Sequence, residues 1–239
     1  MVTEQLYYKD PYLQQAEANV IQLQISGNGV LFELDKTIFY PEGGGQPSDQ
    51  GEVVGDTGSI KVESVRFDHG RIIHQGKMIG SVGEGNNVKL QLKWQRRFRN
   101  MRVHSAGHLI HDVLMTIHPD LKPVKGNHGD KAFLEYVGIL APTAKDELEK
   151  SVNEAVQKDI PIRTWNSSYE EVTSLCKAVP ANLPKDKQIR LLRIGEFEPM
   201  PDGGVQVKST KEIGKVIIHH IVNTDTGTTI RYGIVNTSE

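Results

Sequence analysis

From residue 17 to residue 93 the chain never runs far without a turn signal. Asn28-Gly29, the GDTGS run at 55–59, Asp68-His69-Gly70 and the GEGNN run at 83–87 cut it at short intervals. Gly and Asn tolerate the left-handed backbone that tight turns require, so each interval is left for a short extended segment. NVIQLQIS alternates, VLFEL follows the Asn28-Gly29 turn, and further runs at 51–54, 60–67, 70–74 and 88–92 read the same way. Many short strands at this spacing predict a small β-barrel or sandwich.

At Trp94 the pattern changes. WQRRFRNMRVHSAGHLIHDVLMTI reads as a helix of about six turns, closed by His118-Pro119. A second helix is expected from an N-cap near Thr143, with Leu148, Val152, Ala155 and Val156 on one face. A third, short helix is expected near Ser168. Strands then dominate: IRLLRI, VQVKS, KVIIHHIV and TTIRYGIV, the last two joined by NTDTG. The expected organisation is therefore α+β: a small β-barrel-like domain over residues 1–93, then an α+β domain over 94–239 with a long histidine-bearing helix and an antiparallel sheet.

Composition narrows the class. The 239 residues are 24% charged and 37% apolar, which suits a globular chain with one large or two small cores. No apolar run reaches the roughly 18 residues of a membrane span, and the N-terminus lacks a signal core, so a cytoplasmic location is the default. The single cysteine, Cys176, excludes an intrachain disulfide or a multi-cysteine zinc site. A net charge of −2 argues against indiscriminate coating of nucleic acid. Basic residues still gather locally, with Lys93, Arg96, Arg97, Arg99 and Arg102 in one short stretch and Arg190, Arg193, Lys208, Lys211 and Lys215 in a looser group. Such patches hold a folded RNA through its phosphates, or are solvated faces.

His104 and His108 lie one helical turn apart, and His111 follows three residues on, so the three fall in a narrow arc. Ala106, Leu109, Ile110, Val113 and Ile117 fall opposite. An H-x-x-x-H pair supplies two nitrogen ligands to one metal, and the remaining ligands must come from elsewhere. His219 and His220 are adjacent in an expected strand and should face opposite ways. For these two, as for His69, His74, His111, His118 and the loop residue His128, a structural role is the expectation.

Three segments, FYPEGGGQPSDQG (39–51), RNMRVHSAGHLI (99–110) and RIGEFEPMPDGGVQVKSTKEIG (193–214), together resemble the AlaX-type alanyl-tRNA editing proteins, which are similar to the editing domain of alanyl-tRNA synthetase. The resemblance covers nearly the whole chain and matches the medium-length form. It implies a zinc held by His104, His108, a cysteine and a second-motif histidine. Here Asp202 stands in the cysteine's place and Gln206 in the histidine's, with the flanking spacing unchanged. The candidate metal positions are thus His104, His108, Asp202 and Gln206. Aspartate is an accepted zinc ligand, whereas a neutral amide is a poor one. Gln206 then contacts a water or a substrate hydroxyl instead, and the loss of thiolate and imidazole favours harder ions. The rival is a polar pocket without a metal.

The resemblance further implies hydrolysis of the ester joining a wrong amino acid, serine or glycine, to tRNA(Ala). No nucleotide-binding loop is visible, so ATP is not expected to take part. His104 and His108 are the candidate catalytic groups, as ligands or as general bases, with Gln46 beside them as a polar contact. Gly43, Gly44, Gly45 and Gln46 are expected to wall the substrate pocket, where consecutive glycines let backbone approach a ligand. Gln46, Gln206 and Thr210 are candidates for sensing the serine hydroxyl. Arg96, Arg97 and Arg99 are candidates for tRNA phosphates. The family's longest members carry a further C-terminal module. The chain ends at Glu239 soon after its last strand, so tRNA recognition is expected from the two domains present. Two other functions fit the same segments: a catalytically silent tRNA-binding module, and a related aminoacyl ester hydrolase of altered specificity.

Overall fold

The computed structural model describes residues 2–27, 29–177, 179 and 183–235. Asn28 of the expected first turn therefore lies outside the described residues. The architecture is α+β, in two compact units, residues 1–100 and 101–239.

In the first unit, strands β1 (Gln15–Ser26), β2 (Gly29–Leu34), β3 (Gly51–Val54), β4 (Thr57–Asp68), β5 (Arg71–Ser81) and β6 (Asn87–Leu92) close an antiparallel barrel. Its order is β1-β2-β5-β4-β3-β6. Alternation buries one face of each strand: Val30, Phe32 and Leu34 on β2, Val88 and Leu90 on β6. On β4 the inward set runs Ile60, Val62, Val65, and a register shift between Val62 and Ser64 accounts for the change of phase. One extra residue in that strand returns the next valine to the core.

His74 on β5 is fully buried inside this unit. Its Nε2 lies 2.9 Å from Thr37 Oγ1 and its Nδ1 lies 3.2 Å from the Phe32 carbonyl oxygen. A carbonyl oxygen only accepts, so Nδ1 carries the hydrogen and the Thr37 hydroxyl donates to Nε2. Burial pushes the imidazole down to about 4. The unfolded chain thus takes up a proton near pH 6.5 that the folded chain refuses until about pH 4, and stability falls as pH drops through that window. The expected loss is about 3 kcal/mol in total, with a slope near 1.4 kcal/mol per pH unit. Urea unfolding of wild type and His74→Gln at pH 7, 6, 5 and 4 checks this. A wild-type profile no steeper than the variant's would remove His74 as the cause.

Helix α1 (Trp94–Ile117) begins in the first unit and runs on into the second. The second unit has a sheet of β7 (Lys122–Asn127), β8 (Phe133–Val137), β12 (Val216–Asn223) and β13 (Gly227–Ile234), ordered β12-β13-β8-β7. A smaller sheet joins β9 (Ile162–Ser167), β10 (Ile189–Ile194) and β11 (Met200–Pro201). Helices α2 (Lys145–Gln157), α3 (Tyr169–Leu175) and the single turn α4 (Thr210–Ile213) complete it. Ser168 opens α3 with a reciprocal capping box to Glu171, as its sequence suggests. Thr143 caps nothing: it sits within a 3-10 turn, Pro142–Ala144, ahead of α2. No described helix is long and apolar enough to cross a membrane.

Two strand expectations are corrected. VQVKS is not a strand, because the Val207 N–H is taken by Ser105 Oγ at 3.2 Å. His219 and His220 do not face opposite ways. A register shift between Ile218 and His220 leaves both exposed.

Candidate metal and active site

The one-sided amphipathic reading of α1 does not hold. From Asn100 to Gly107 every residue is buried, polar and apolar alike, so the histidine face is as enclosed as the leucine face. His104 is 1% exposed and His108 12% at the side chain. Their rings stack with centroids 4.9 Å apart. The third partner arrives from the loop after β11. Asp202 Oδ1 lies 3.2 Å from His104 Nε2 and 3.4 Å from His108 Nε2. Among the described residues these three bring their ligand atoms within 4.8 Å of one another.

The carboxylate is oriented from both ends. Oδ1 accepts from the Gly204 N–H at 3.1 Å, a bend formed inside the diglycine turn. Oδ2 accepts from Gln206 Nε2 at 2.7 Å, and Gln206 Oε1 accepts from Ser105 Oγ at 2.6 Å. Both ends of the Gln206 amide are thus occupied inside the protein, and its oxygen points at Ser105. The expectation of Gln206 as a ligand is corrected: it holds the ligand-bearing carboxylate. His108 is oriented too, with Nδ1 3.0 Å from Met200 Sδ, which leaves Nε2 to face Asp202.

Electrostatics agree with the geometry. Burial alone raises the Asp202 carboxyl, but the two imidazoles outweigh it and hold the group well below the usual carboxylate range. Burial lowers His104 more than Asp202 raises it. His108 goes the other way, because Asp202 and Asp112 together overcome its burial. His108 Nε2 is buried with no hydrogen-bond partner. Two imidazole nitrogens and a carboxylate oxygen converging in this way are a donor set suited to a divalent cation, so these three residues form a possible metal site.

His128, expected to be structural, belongs to this site. It stacks on His104 at 4.1 Å between centroids, and its Nδ1 lies 2.6 Å from the Tyr232 hydroxyl oxygen. Gly107 makes this possible, because a Cβ there would lie 2.6 Å from the His128 ring. His111 lies 3.1 Å from the Tyr136 hydroxyl through Nδ1. His108, His111, His128, Tyr136 and Met200 line a cavity of about 570 Å³.

Thr210 is corrected as a substrate contact, since its buried hydroxyl donates to the Ala155 carbonyl at 3.0 Å and accepts from the Ile160 N–H at 2.9 Å. Arg97 is corrected as a phosphate contact. It is fully buried, paired with Asp49, and donates to the carbonyls of Pro11 and Ile38. Arg96 donates to the Ser48 carbonyl at 3.0 Å and is partly exposed, as is Arg99. In the first unit, Gly43 and Gln46 bridge each other across Gly44 and Gly45, whose φ values of 56° and 75° favour glycine. Gln46 is buried there.

A family model described as tRNA synthetases class II (A) matches residues 5–96. The alanyl-tRNA editing protein AlaX-L of Pyrococcus horikoshii is 36% identical over 220 residues, covering 89% of this chain. The chain spans about half that relative's length, 53%. AlaX-M of Saccharolobus solfataricus is 32% identical over 232 residues, covering 95% of this chain and 96% of the relative. The alanine–tRNA ligase of Pyrobaculum aerophilum is 30% identical over 236 residues, 25% of its own length. The chain belongs to the AlaX family of alanyl-tRNA editing proteins.

Proposed function

We propose that the protein hydrolyses the ester linking a wrongly attached amino acid, serine or glycine, to tRNA(Ala), with a divalent ion such as zinc held by His104, His108 and Asp202. The observation that carries the reading is the convergence of two imidazole nitrogens and one carboxylate oxygen beside a cavity large enough for an aminoacyl nucleoside end. A bound divalent ion supplies Lewis acidity toward a carbonyl oxygen.

The protein's own groups do the rest. Asp202 presents Oδ1 because Gln206 and Gly204 fix its carboxylate. Ser105 fixes Gln206 in turn. Tyr232 holds His128, and the His128 ring lies flat against His104, so that ring keeps one plane. An aminoacyl ester is already activated, and a positioned water with a stabilised oxyanion is most of what its hydrolysis needs. Contacts of Arg96 and Arg99 with tRNA phosphates, and of Gln46 and the glycine-rich turn with the substrate, are part of this proposal as the resemblance implies them.

The test is release of labelled serine from Ser-tRNA(Ala), with and without chelator. Release that chelator abolishes and a divalent ion restores is the expected result. Release indifferent to chelator replaces the metal with imidazole general-base catalysis. Tight tRNA binding without release overturns the enzyme reading in favour of a silent binding module.

A further inference from the structure

The sheet β12-β13-β8-β7 buries one face, and the hydrolytic reading uses that face alone. Leu134, Tyr136, Ile230 and Tyr232 lie on it. Cross-strand partners share a face, so the register sets His220, Arg231, Phe133 and Asn127 in one row across all four strands on the opposite side. Of these, His220, Arg231 and Asn127 are exposed and Phe133 is partly so. Farther along β8 the same side carries Glu135 and Val137, the latter opposite Lys122 and 52% exposed. Four strands about 4.8 Å apart give this open face a width of about 14 Å.

Phe133 is flanked by cations from the strands on either side. Lys125 Nζ stands 5.8 Å from its ring centre and the Arg231 guanidinium 5.7 Å. Both contacts are at the outer limit for a cation over a ring, and both cations sit on flexible stems. Each is therefore able to turn to a phosphate while a base takes the ring. Glu135 is already met by Lys125 at 3.3 Å, whereas Lys122 and Arg231 form no ion pair among the described residues. A second copy docked here would set like charges against like. An aromatic ring among cations on an open four-stranded sheet instead complements single-stranded RNA, whose bases stack and whose phosphates pair. The face is also continuous with the candidate site. Lys125 and Glu135 line the cavity at His108 too, so an RNA chain with its esterified end in that cavity crosses β7 onto this face.

We propose that the open face of this sheet is a single-stranded RNA platform, on which Phe133 stacks a base upstream of the esterified nucleotide and Lys122, Lys125 and Arg231 hold the phosphates around it. The proposal rests on the ester-hydrolase reading for the identity of the RNA. It adds a binding surface separate from Arg96 and Arg99, with stacking as its chemistry.

The test is fluorescence anisotropy of the full chain with a labelled oligoadenylate of about ten nucleotides, at about 50 and 200 mM salt, and with inorganic polyphosphate as a ligand of charge without bases. Phe133→Leu keeps the apolar bulk and removes the stacking ring. It is expected to weaken the RNA about tenfold, to leave the salt slope unchanged and to leave polyphosphate affinity unmoved. Arg231→Gln is expected to lower the slope by about 0.7, the share of one phosphate contact on a single strand. Four results overturn the proposal: no binding at millimolar RNA, unchanged affinity in Phe133→Leu, an unchanged slope in Arg231→Gln, or equal losses for RNA and polyphosphate in Phe133→Leu. A dimer in sedimentation that Phe133→Leu dissolves also overturns it and gives the face to a second copy. If Phe133→Leu does not fold, Phe133→Trp serves instead. It is expected to bind RNA at least as tightly as wild type, and its added indole emission to be quenched by the stacked base. Emission unmoved by saturating RNA overturns the proposal. Ester hydrolysis does not enter the measurement. RNA binding that depends on Phe133 without serine release refutes the hydrolase reading and leaves the platform standing, and serine release with RNA affinity indifferent to Phe133 does the reverse.

Discussion

Asp202→Ala is expected to leave the protein without its bound divalent ion and to cut serine release by about 100-fold or more, since losing a ligand costs more than the 10–100-fold typical of outer partners. Two imidazoles on one helical turn do not hold a cation against water when the only anionic ligand is gone. Gln206→Ala is expected to be milder, weakening metal affinity by about 10–100-fold, because Oδ2 loses its donor while Oδ1 stays. Elemental analysis after dialysis against a metal buffer checks both. Unchanged metal content in Asp202→Ala would take Asp202 out of the ligand set. The two positions are joined by a hydrogen bond, so their effects should not add. Restoring the family's residues together, as Asp202→Cys with Gln206→His, is expected to bind zinc more tightly than either single change.

Arg97→Ala is expected to destabilise the protein by about 3–5 kcal/mol without a selective effect on tRNA affinity. The guanidinium and Asp49 are both buried, at 0% and 1% exposure. Asp49 Oδ2 also accepts from the Tyr40 N–H at 2.6 Å, so the carboxylate is built into the chain around it. Removing the arginine strands a buried charge and two carbonyls at once. Denaturant unfolding measures the loss. Arg97→Met paired with Asp49→Leu should recover much of it, since a buried ion pair often exchanges for apolar groups at little cost. A near-neutral Arg97→Ala, or a tRNA defect in a fully stable Arg97→Ala, would return this arginine to the phosphate-binding surface.

The barrel and the histidine pair were legible because both rest on short periods. Alternation with turn residues reads directly as strands, and a four-residue gap reads directly as one helical face. What escaped rests on partners distant in sequence. Arg97 looks like its neighbour Arg96 until Asp49, 48 residues earlier, is beside it. His128 follows His104 by 24 residues and reaches the site only because β7 delivers it there. β7 itself, Lys122–Asn127, is exposed at every position and carries a proline, so it lacks the alternation that marks a strand. VQVKS shows the opposite failure, since its alternation comes from a loop held by Ser105 rather than from a ladder. The replaced residues 202 and 206 were visible as departures from the family. That one of them serves the other needed the coordinates, because an amide's role depends on which atoms surround it.

Position 107 ties two distant parts of the protein to a common fate. An alanine methyl would lie 2.4 Å from the Tyr232 hydroxyl and 2.6 Å from the His128 ring, so it could enter only after the ring and the hydroxyl bound to it had both moved aside. In a randomised library, bulk at 107 and small side chains at 128 should therefore be recovered together. Clones that grow one without shrinking the other should be scarce among functional survivors, marking the pair as a single heritable unit.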